Sequence, residues 1–402
     1  MKNLKKTKMS LMLFLLGLLL FSCNKQDESL DIKQDLLQEN NLVSKNSAEL
    51  IAKNLLFNEN LSNPTTPYSK TTVKKFNKKD VESIFEVPDK NNQTAYFIIN
   101  YKAGGFVILA GDKRSEPILA FSETNSFDLN QELYPSGLVN WLYVSKVNME
   151  KIRETKTPIS NENKIAWENL LTGDADVVTY RLPIEDPSCD AQTIQKGPLL
   201  QTTWGQGCGY NSQTPSMSCG PCGRAWTGCV ATAMAQVMRY YAFPNNYNWT
   251  AMPNTSGTNS TAILMSDIGN AVDMDYTCNG SGANTENEVA SSFRNDFGYS
   301  TASYADYNYQ TVKNELDRSR PVILKGRKNT GWWIFGNYDD GHAWVSDGYL
   351  SYTDPCWGSM LKYNMNWGWN NGTHNGWYSF NNFNPGNLTF NYKTGMVYNI
   401  KP

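Results

Sequence analysis

Apolar positions fall into three regimes along the chain. The first is a near-continuous block, Leu11 to Phe21, behind Lys2, Lys5, Lys6 and Lys8. It is shorter than the roughly 20 residues that span a bilayer and has the length of an export signal. The second regime, residues 46–157, mixes two periods. Leu50, Ile51, Leu55 and Leu56 recur at helical spacing within Ser47 to Phe57. Ala95 to Tyr101 and Phe106 to Ala110 are strand-like runs joined across Gly104-Gly105, a hairpin signal, and Ile118 to Phe121 is a third strand. Ser136 to Glu154 predicts a helix with Leu138, Trp141, Leu142 and Met149 turned inward. Residues 158–198 lose both periods and carry Pro158, Pro183, Pro187 and Pro198. They read as a linker around a short helix near Trp167.

The third regime starts near residue 199, where Gly, Asn and aromatic residues rise. Helix signals come first: Cys229 to Phe243, Thr261 to Asp275, Glu286 to Phe297 and Gln310 to Ser319. Strand signals follow at Val322 to Lys325, His342 to Tyr349, Met360 to Met365 and Trp377 to Phe380. Helices then strands predict an α+β domain with segregated halves. The expected plan is a leader at 1–22, a tether at 23–45, a small α+β unit at 46–157, a linker at 158–198 and a main domain at 199–402.

Composition narrows the function. The 402 residues are 40% hydrophobic, enough for real cores, so the chain is not disordered as a whole. A net charge of −2 offers no basic excess for phosphates, which argues against nucleic acid as a partner. The 22 Tyr and 12 Trp suit peptide or sugar recognition, and equally suit core packing. Only His342 and His374 supply imidazole, and no His-x-x-x-His pair exists to make a zincin. Leu20-Phe21-Ser22-Cys23 resembles a bacterial lipobox, with Cys23 as a lipidated N-terminus that anchors the chain to a membrane.

Of eight cysteines, setting aside Cys23 and Cys229 leaves Cys189, Cys208, Cys219, Cys222, Cys278 and Cys356, an even set that suggests disulfides in an exported protein. Cys219-Gly-Pro-Cys222 also admits a redox pair or, with Cys208, three thiolates for zinc.

Four stretches carry candidate chemistry. In Thr227-Gly228-Cys229-Val230 a Gly-rich loop feeds a strong helix, so Cys229 sits at its N-terminus, where the dipole favours thiolate. The alternative is a buried Cys packing as a small hydrophobe. His342 opens a strand behind the polar loop 337–340, a suitable seat for a general base. His374 lies in a polar turn and reads as a solvated loop residue. Asn366-Trp367 could orient and shield an imidazole, and Gln206 could complete an oxyanion hole with the Cys229 N–H.

The order Gln, Cys, His, Asn-Trp is that of papain-like peptidases. The stretches QTTWGQGCGYN, TGCVATAMAQVMRYYAFP, NAVDMDY, RPVILKG, GHAWVSDGY and NWGW resemble streptopain and its bacterial relatives. FVILAGDKRSEPILAFS, in the first unit, resembles the streptopain propeptide. The resemblance implies a papain-like peptidase behind an inhibitory pro-domain, activated by a cut near 190–198. Cys229 is then the nucleophile, His342 the base, Gln206 the oxyanion donor, and Trp367 or Asn366 the group that positions His342. Substrates are proteins or peptides, and no metal or organic cofactor is called for. The Cys208 to Arg224 stretch is richer in cysteine than the family leads one to expect, and Gly331 to Gly336 is an aromatic stretch expected to form a mobile flap. Three rivals remain: a Cys-His acyltransferase, a non-catalytic aromatic-rich surface binder, and an N-terminal unit that inhibits other peptidases.

Overall fold

The strands of the two halves of the chain meet in one sheet. The structure, a computed structural model, describes residues 40–58, 76–131, 134–155, 158–173, 175–178, 192–278, 280–326, 342–354, 358–379 and 394–402. From Asn41 onward they form a single unit.

The N-terminal elements are α1 (Lys45–Asn54), the short pair β1 (Phe57–Asn58) and β2 (Phe76–Asn77), then β3 (Val81–Pro88), β4 (Thr94–Tyr101), β5 (Phe106–Ala110) and β6 (Ile118–Ser122), followed by α2 (Ser136–Thr155) and α3 (Asn161–Thr172). Ser44 caps α1 by accepting from the Ser47 N–H. Strands β4, β5 and β6 are buried almost throughout, which explains their continuous rather than alternating apolar runs. Arg153 pins the end of α2 to the sheet, pairing with Asp89 at 2.6 Å and donating to the carbonyls of Thr94 and Gly111. In the 158–178 stretch, α3 packs on α1, the indole of Trp167 donates to the Ser115 carbonyl, and Leu56 exchanges hydrogen bonds with Ala175 and Val177.

The C-terminal elements are β7 (Gln192–Lys196), α4 (Cys229–Tyr241), α5 (Asn259–Ala271), a π turn (Thr285–Val289) leading into α6 (Ala290–Asn295), β8 (Thr301–Asp306), α7 (Tyr309–Asp317), β9 (Val322–Gly326), β10 (His342–Asp354), β11 (Gly358–Asn366), β12 (Gly376–Ser379) and β13 (Gly395–Lys401). The order across the main sheet is β3-β4-β5-β6-β12-β11-β10-β9-β13-β8, all antiparallel, with β7 on β10. The N-terminal sheet joins at β6–β12, where Phe121 faces Trp377 and Ala120 faces Tyr378. Helix α4 is buried from Cys229 to Met238 and packs on α5 and β10. Each large apolar side chain it buries stabilises the fold by about 1.5–3 kcal/mol.

The α+β class is therefore present, with antiparallel strands and packed helices. The segregation is incomplete, because β8 falls between two helices and β7 precedes them all. Phe380 lies outside the described residues.

Candidate active site

Two elements from opposite layers bring Cys229 and His342 together. Cys229 is the first residue of α4. Its cap, Gly228, has φ +88°, and a Cβ there would lie 2.7 Å from Met274 Sδ and 2.8 Å from the Ser281 carbonyl oxygen. Only glycine fits this turn, which brings the backbone tightly into the helix. His342 is the first residue of β10, paired with Gly326 of β9. The next residue, Ala343, donates its N–H to Cys229 Sγ at 3.4 Å. The thiol, from the helical layer, thus meets the sheet at the residue next to His342.

The imidazole of His342 is buried, and its hydrogen bond is to the Trp367 backbone, whose carbonyl raises its basicity. Nε2 has no hydrogen-bond partner among the described residues, so it makes no bond to the thiol. The Trp344 ring stacks beside the imidazole, and Trp367 packs against Trp344. Asn366 does not face His342. Its Nδ2 donates to the Thr202 carbonyl at 2.8 Å and to Gln236 Oε1, and its Oδ1 accepts from Gly368 and Gln236. Of the two groups considered for positioning His342, the geometry singles out the Trp367 carbonyl.

Gln206 is buried on the loop before α4, where its carbonyl accepts from the Thr227 N–H at 3.1 Å. The same loop region is stapled by two disulfides, Cys208–Cys222 and Cys219–Cys278. Cys219 and Cys222 therefore join different partners, and Cys219-Gly-Pro-Cys222 is neither a redox pair nor part of a zinc site. Cys189, Cys356 and the stretch Gly331 to Gly336 lie outside the described residues. Past the disulfide loop, Trp226 stacks over Trp369 at 6.1 Å.

The N-terminal region covers this site. Gly137, in the first turn of α2, abuts His342 and Trp344. A Cβ there would lie 2.6 Å from Trp344 Cε3 and 2.8 Å from His342 Cδ2. Gln131 accepts from the Trp369 indole at 2.9 Å, Asn125 donates to the Asn375 carbonyl, and the Trp141 indole donates to the Ser379 carbonyl. Glu116 pairs with the fully buried Lys362. Burial has an electrostatic consequence. It pushes the Cys229 thiol above its ordinary range, outweighing the N–H groups of Ala343, Val230 and Cys229 itself, and it lowers His342 from 6.5 to about 4. The helix-terminus argument favours a thiolate; in the covered state desolvation outweighs it and disfavours the charged form of both groups.

His374 corrects an expectation. It is not solvated but fully buried, at φ +70°, with Nε2 3.0 Å from the Asp128 carbonyl and its ring against Phe127 and Tyr134. The polar turn is roofed by residues about 240 positions earlier in the chain, which a local reading could not see. Gly137 was missed for the same reason: a glycine in a predicted helix carries no local sign of what packs on it.

A helix beginning at cysteine, set against a strand beginning at histidine, is the papain-like arrangement, and here a third body closes over it. The class is a cysteine peptidase with its propeptide in place. Comparison with known proteins narrows this. The Peptidase C10 family model matches residues 204–247 and 245–378, and the Spi protease inhibitor model matches residues 40–149. Residues 204–378 thus match the peptidase C10 family, which supports a streptopain-type cysteine peptidase. It is 28% identical to streptopain of Streptococcus pyogenes over 365 residues, covering 76% of this chain and 80% of that protein. It is 25% identical to the thiol protease/hemagglutinin PrtT of Porphyromonas gingivalis, covering 86% of this chain and 39% of that protein. Prointerpain A of Prevotella intermedia superposes with a TM-score of 0.56 at 26% identity, covering 80% of this chain and 99% of that structure.

Proposed function

We propose that the chain is the precursor of an exported cysteine endopeptidase in which Cys229 attacks the scissile carbonyl and His342 moves the proton. The observation that carries this reading is the Ala343 N–H on Cys229 Sγ, which seats His342 beside the one free cysteine among the described residues. Once uncovered, the imidazole takes the thiol proton and the thiolate adds to the carbonyl. The oxyanion forms beside the Cys229 N–H and the Gln206 amide. The imidazolium then protonates the leaving amine, and water, deprotonated by His342, releases the acyl group from sulfur. The Trp367 carbonyl holds the imidazole in the orientation this needs.

The N-terminal region, residues 46 to at least 157, is the inhibitory pro-domain. The backbone of β7 is engaged with β10, which supports an activating cut on the N-terminal side of Gln192. Export and a lipid anchor on Cys23 are supported by the Lys-rich start, the apolar block and the Leu-Phe-Ser-Cys sequence. Cys23→Ser should abolish incorporation of a labelled fatty acid; continued labelling would exclude that anchor.

The reading is tested by adding an epoxysuccinyl thiol inhibitor to the activated enzyme and mapping the adduct by mass spectrometry. Modification of Cys229, with stoichiometric loss of peptide hydrolysis, is expected. Complete inhibition with an unmodified Cys229 would refute the assignment.

A further inference from the structure

The buried amide of Gln236 takes no part in the chemistry above, yet it joins three of the segments that do. Gln236 lies seven residues after Cys229 on α4, two helical turns along the same face and about 10 Å down the axis. It is fully buried. Its Oε1 accepts from the Trp204 N–H at 3.2 Å and from Asn366 Nδ2 at 3.2 Å, and its Nε2 donates to Asn366 Oδ1 at 3.2 Å. Asn366 completes the array by donating to the Thr202 carbonyl and accepting from the Gly368 N–H. The backbone partners fix which end of each amide is oxygen: N–H groups face Gln236 Oε1 and Asn366 Oδ1, and a carbonyl faces Asn366 Nδ2. Every hydrogen-bonding position of the Asn366 amide is used, as burial demands.

The three segments so joined each carry one working part. Helix α4 begins with Cys229. The 202–206 strand of chain ends in Gln206, and residues 366–368 hold the Trp367 carbonyl. The amide pair also crosses from the helical layer to the sheet layer, the two bodies that must hold thiol and imidazole in register. An apolar contact there would fix distance loosely. A reciprocal pair of hydrogen bonds fixes it in distance and rotation.

We propose that Gln236 is a positioning residue for catalysis: paired with Asn366 and holding the Trp204 N–H, it sets the Cys229 helix, the Gln206 loop and the Trp367 carbonyl in their working relation. This rests on reading Cys229 and His342 as the reacting pair. Asn366 thereby acts through Gln236 and the backbone of residues 202 and 368, not on the imidazole.

The test uses the full-length chain, incubated until processed, in three forms: parent, Gln236→Leu, and the exchange Gln236→Asn with Asn366→Gln. The exchange keeps the summed length and both reciprocal bonds. Three quantities are read: kcat and KM on a short peptide, the pH profile of Cys229 alkylation by iodoacetamide, and the melting temperature. Gln236→Leu is expected to lower kcat by about 100-fold with KM within twofold, the usual size of a small misplacement of reacting groups. Its alkylation profile should shift toward that of an ordinary thiol, because the imidazole no longer meets the sulfur correctly. The exchange should restore both. If Gln236→Leu does not fold, Gln236→Glu, which keeps the shape and alters one end of the amide, carries the same comparison. A lowered melting temperature with unchanged kcat and alkylation profile would overturn the proposal, as would an exchange that folds without recovering either. Failure of the underlying reading shows separately: Cys229→Ala would then retain hydrolysis, and the proposal would fall with it.

Discussion

The two histidines of this chain occupy matched settings with different neighbours. Both are buried, both are lowered from 6.5 to about 4 by desolvation, and both are covered by the N-terminal region. His342 meets Gly137, the Trp367 carbonyl and, through Ala343, the sulfur of Cys229. His374 meets the Asp128 carbonyl and the rings of Phe127 and Tyr134, with no thiol in contact among the described residues. Burial and a perturbed pKa are thus common to both and diagnose neither. The thiol neighbour separates the proposed reacting group from a docking group. The cover touches the first through a bare glycine and the second through aromatic rings and a hydrogen bond.

The largest effect should separate the pair outright. His342→Ala is expected to lower peptide hydrolysis by the activated enzyme by on the order of 10⁵-fold, the scale seen when one member of a cooperating set is removed. His374→Gln should leave the same rate within about twofold on that reasoning. Comparable losses in both variants would break the comparison. Next, Gln206→Ala should reduce kcat by about 100–1000-fold, the cost of one oxyanion donor. A variant with full turnover removes Gln206 from the mechanism.

The third prediction concerns pH. A buried histidine at about 4, below its ordinary 6.5, favours the covered state only while neutral. That contribution is complete above pH 6.5 and is lost as pH falls from there through 4. The groups facing His374 oppose this only in part, since the Asp128 carbonyl and carboxylate favour the protonated ring but burial outweighs them. In the Cys229→Ala precursor, which lacks the proposed nucleophile, nicking of the N-terminal region by an added protease should accelerate between pH 6.5 and 4. His374→Gln should remove about 10–100-fold of that rise, at tenfold per pH unit of displacement. An identical profile in both precursors would exclude His374 as a contributor.

The smallest effect is steric. Gly137→Ala places a methyl group within 3 Å of His342 and Trp344 and should cost the covered state about 1–3 kcal/mol. The precursor should melt lower and process faster, while the processed enzyme is unchanged. A slower-processing Gly137→Ala precursor would contradict that contact.

Much of this was legible from local pattern. Helix α4 runs from Cys229 to Tyr241 and ends before Pro244 as the proline requires, and the hairpin of β4 and β5 turns at Gly104-Gly105. Strand β3 escaped because it lies at the sheet edge, with Glu82, Ser83 and Glu86 exposed, so its alternation is weak. Strand β13 gains its burial between β9 and β8, and β8 is held at the sheet edge by β13, nearly a hundred residues away. The joining of two sheets at β6 and β12 had no signal at all, since each edge looks complete in sequence. The same limit explains the site. Cys229 announces itself by its glycine and its helix, whereas the cover over His374 and the Gln236–Asn366 pair exist only after folding brings distant segments together.

The most direct test of the account is to incubate the purified chain beside its Cys229→Ala twin, following mass by spectrometry and casein cleavage by fluorescence. The account requires the parent to shorten to a fragment beginning near Gln192 and to digest casein, with the twin intact and inert. A twin that shortens and digests casein at the parent's rate would show that the peptidase does not act through Cys229.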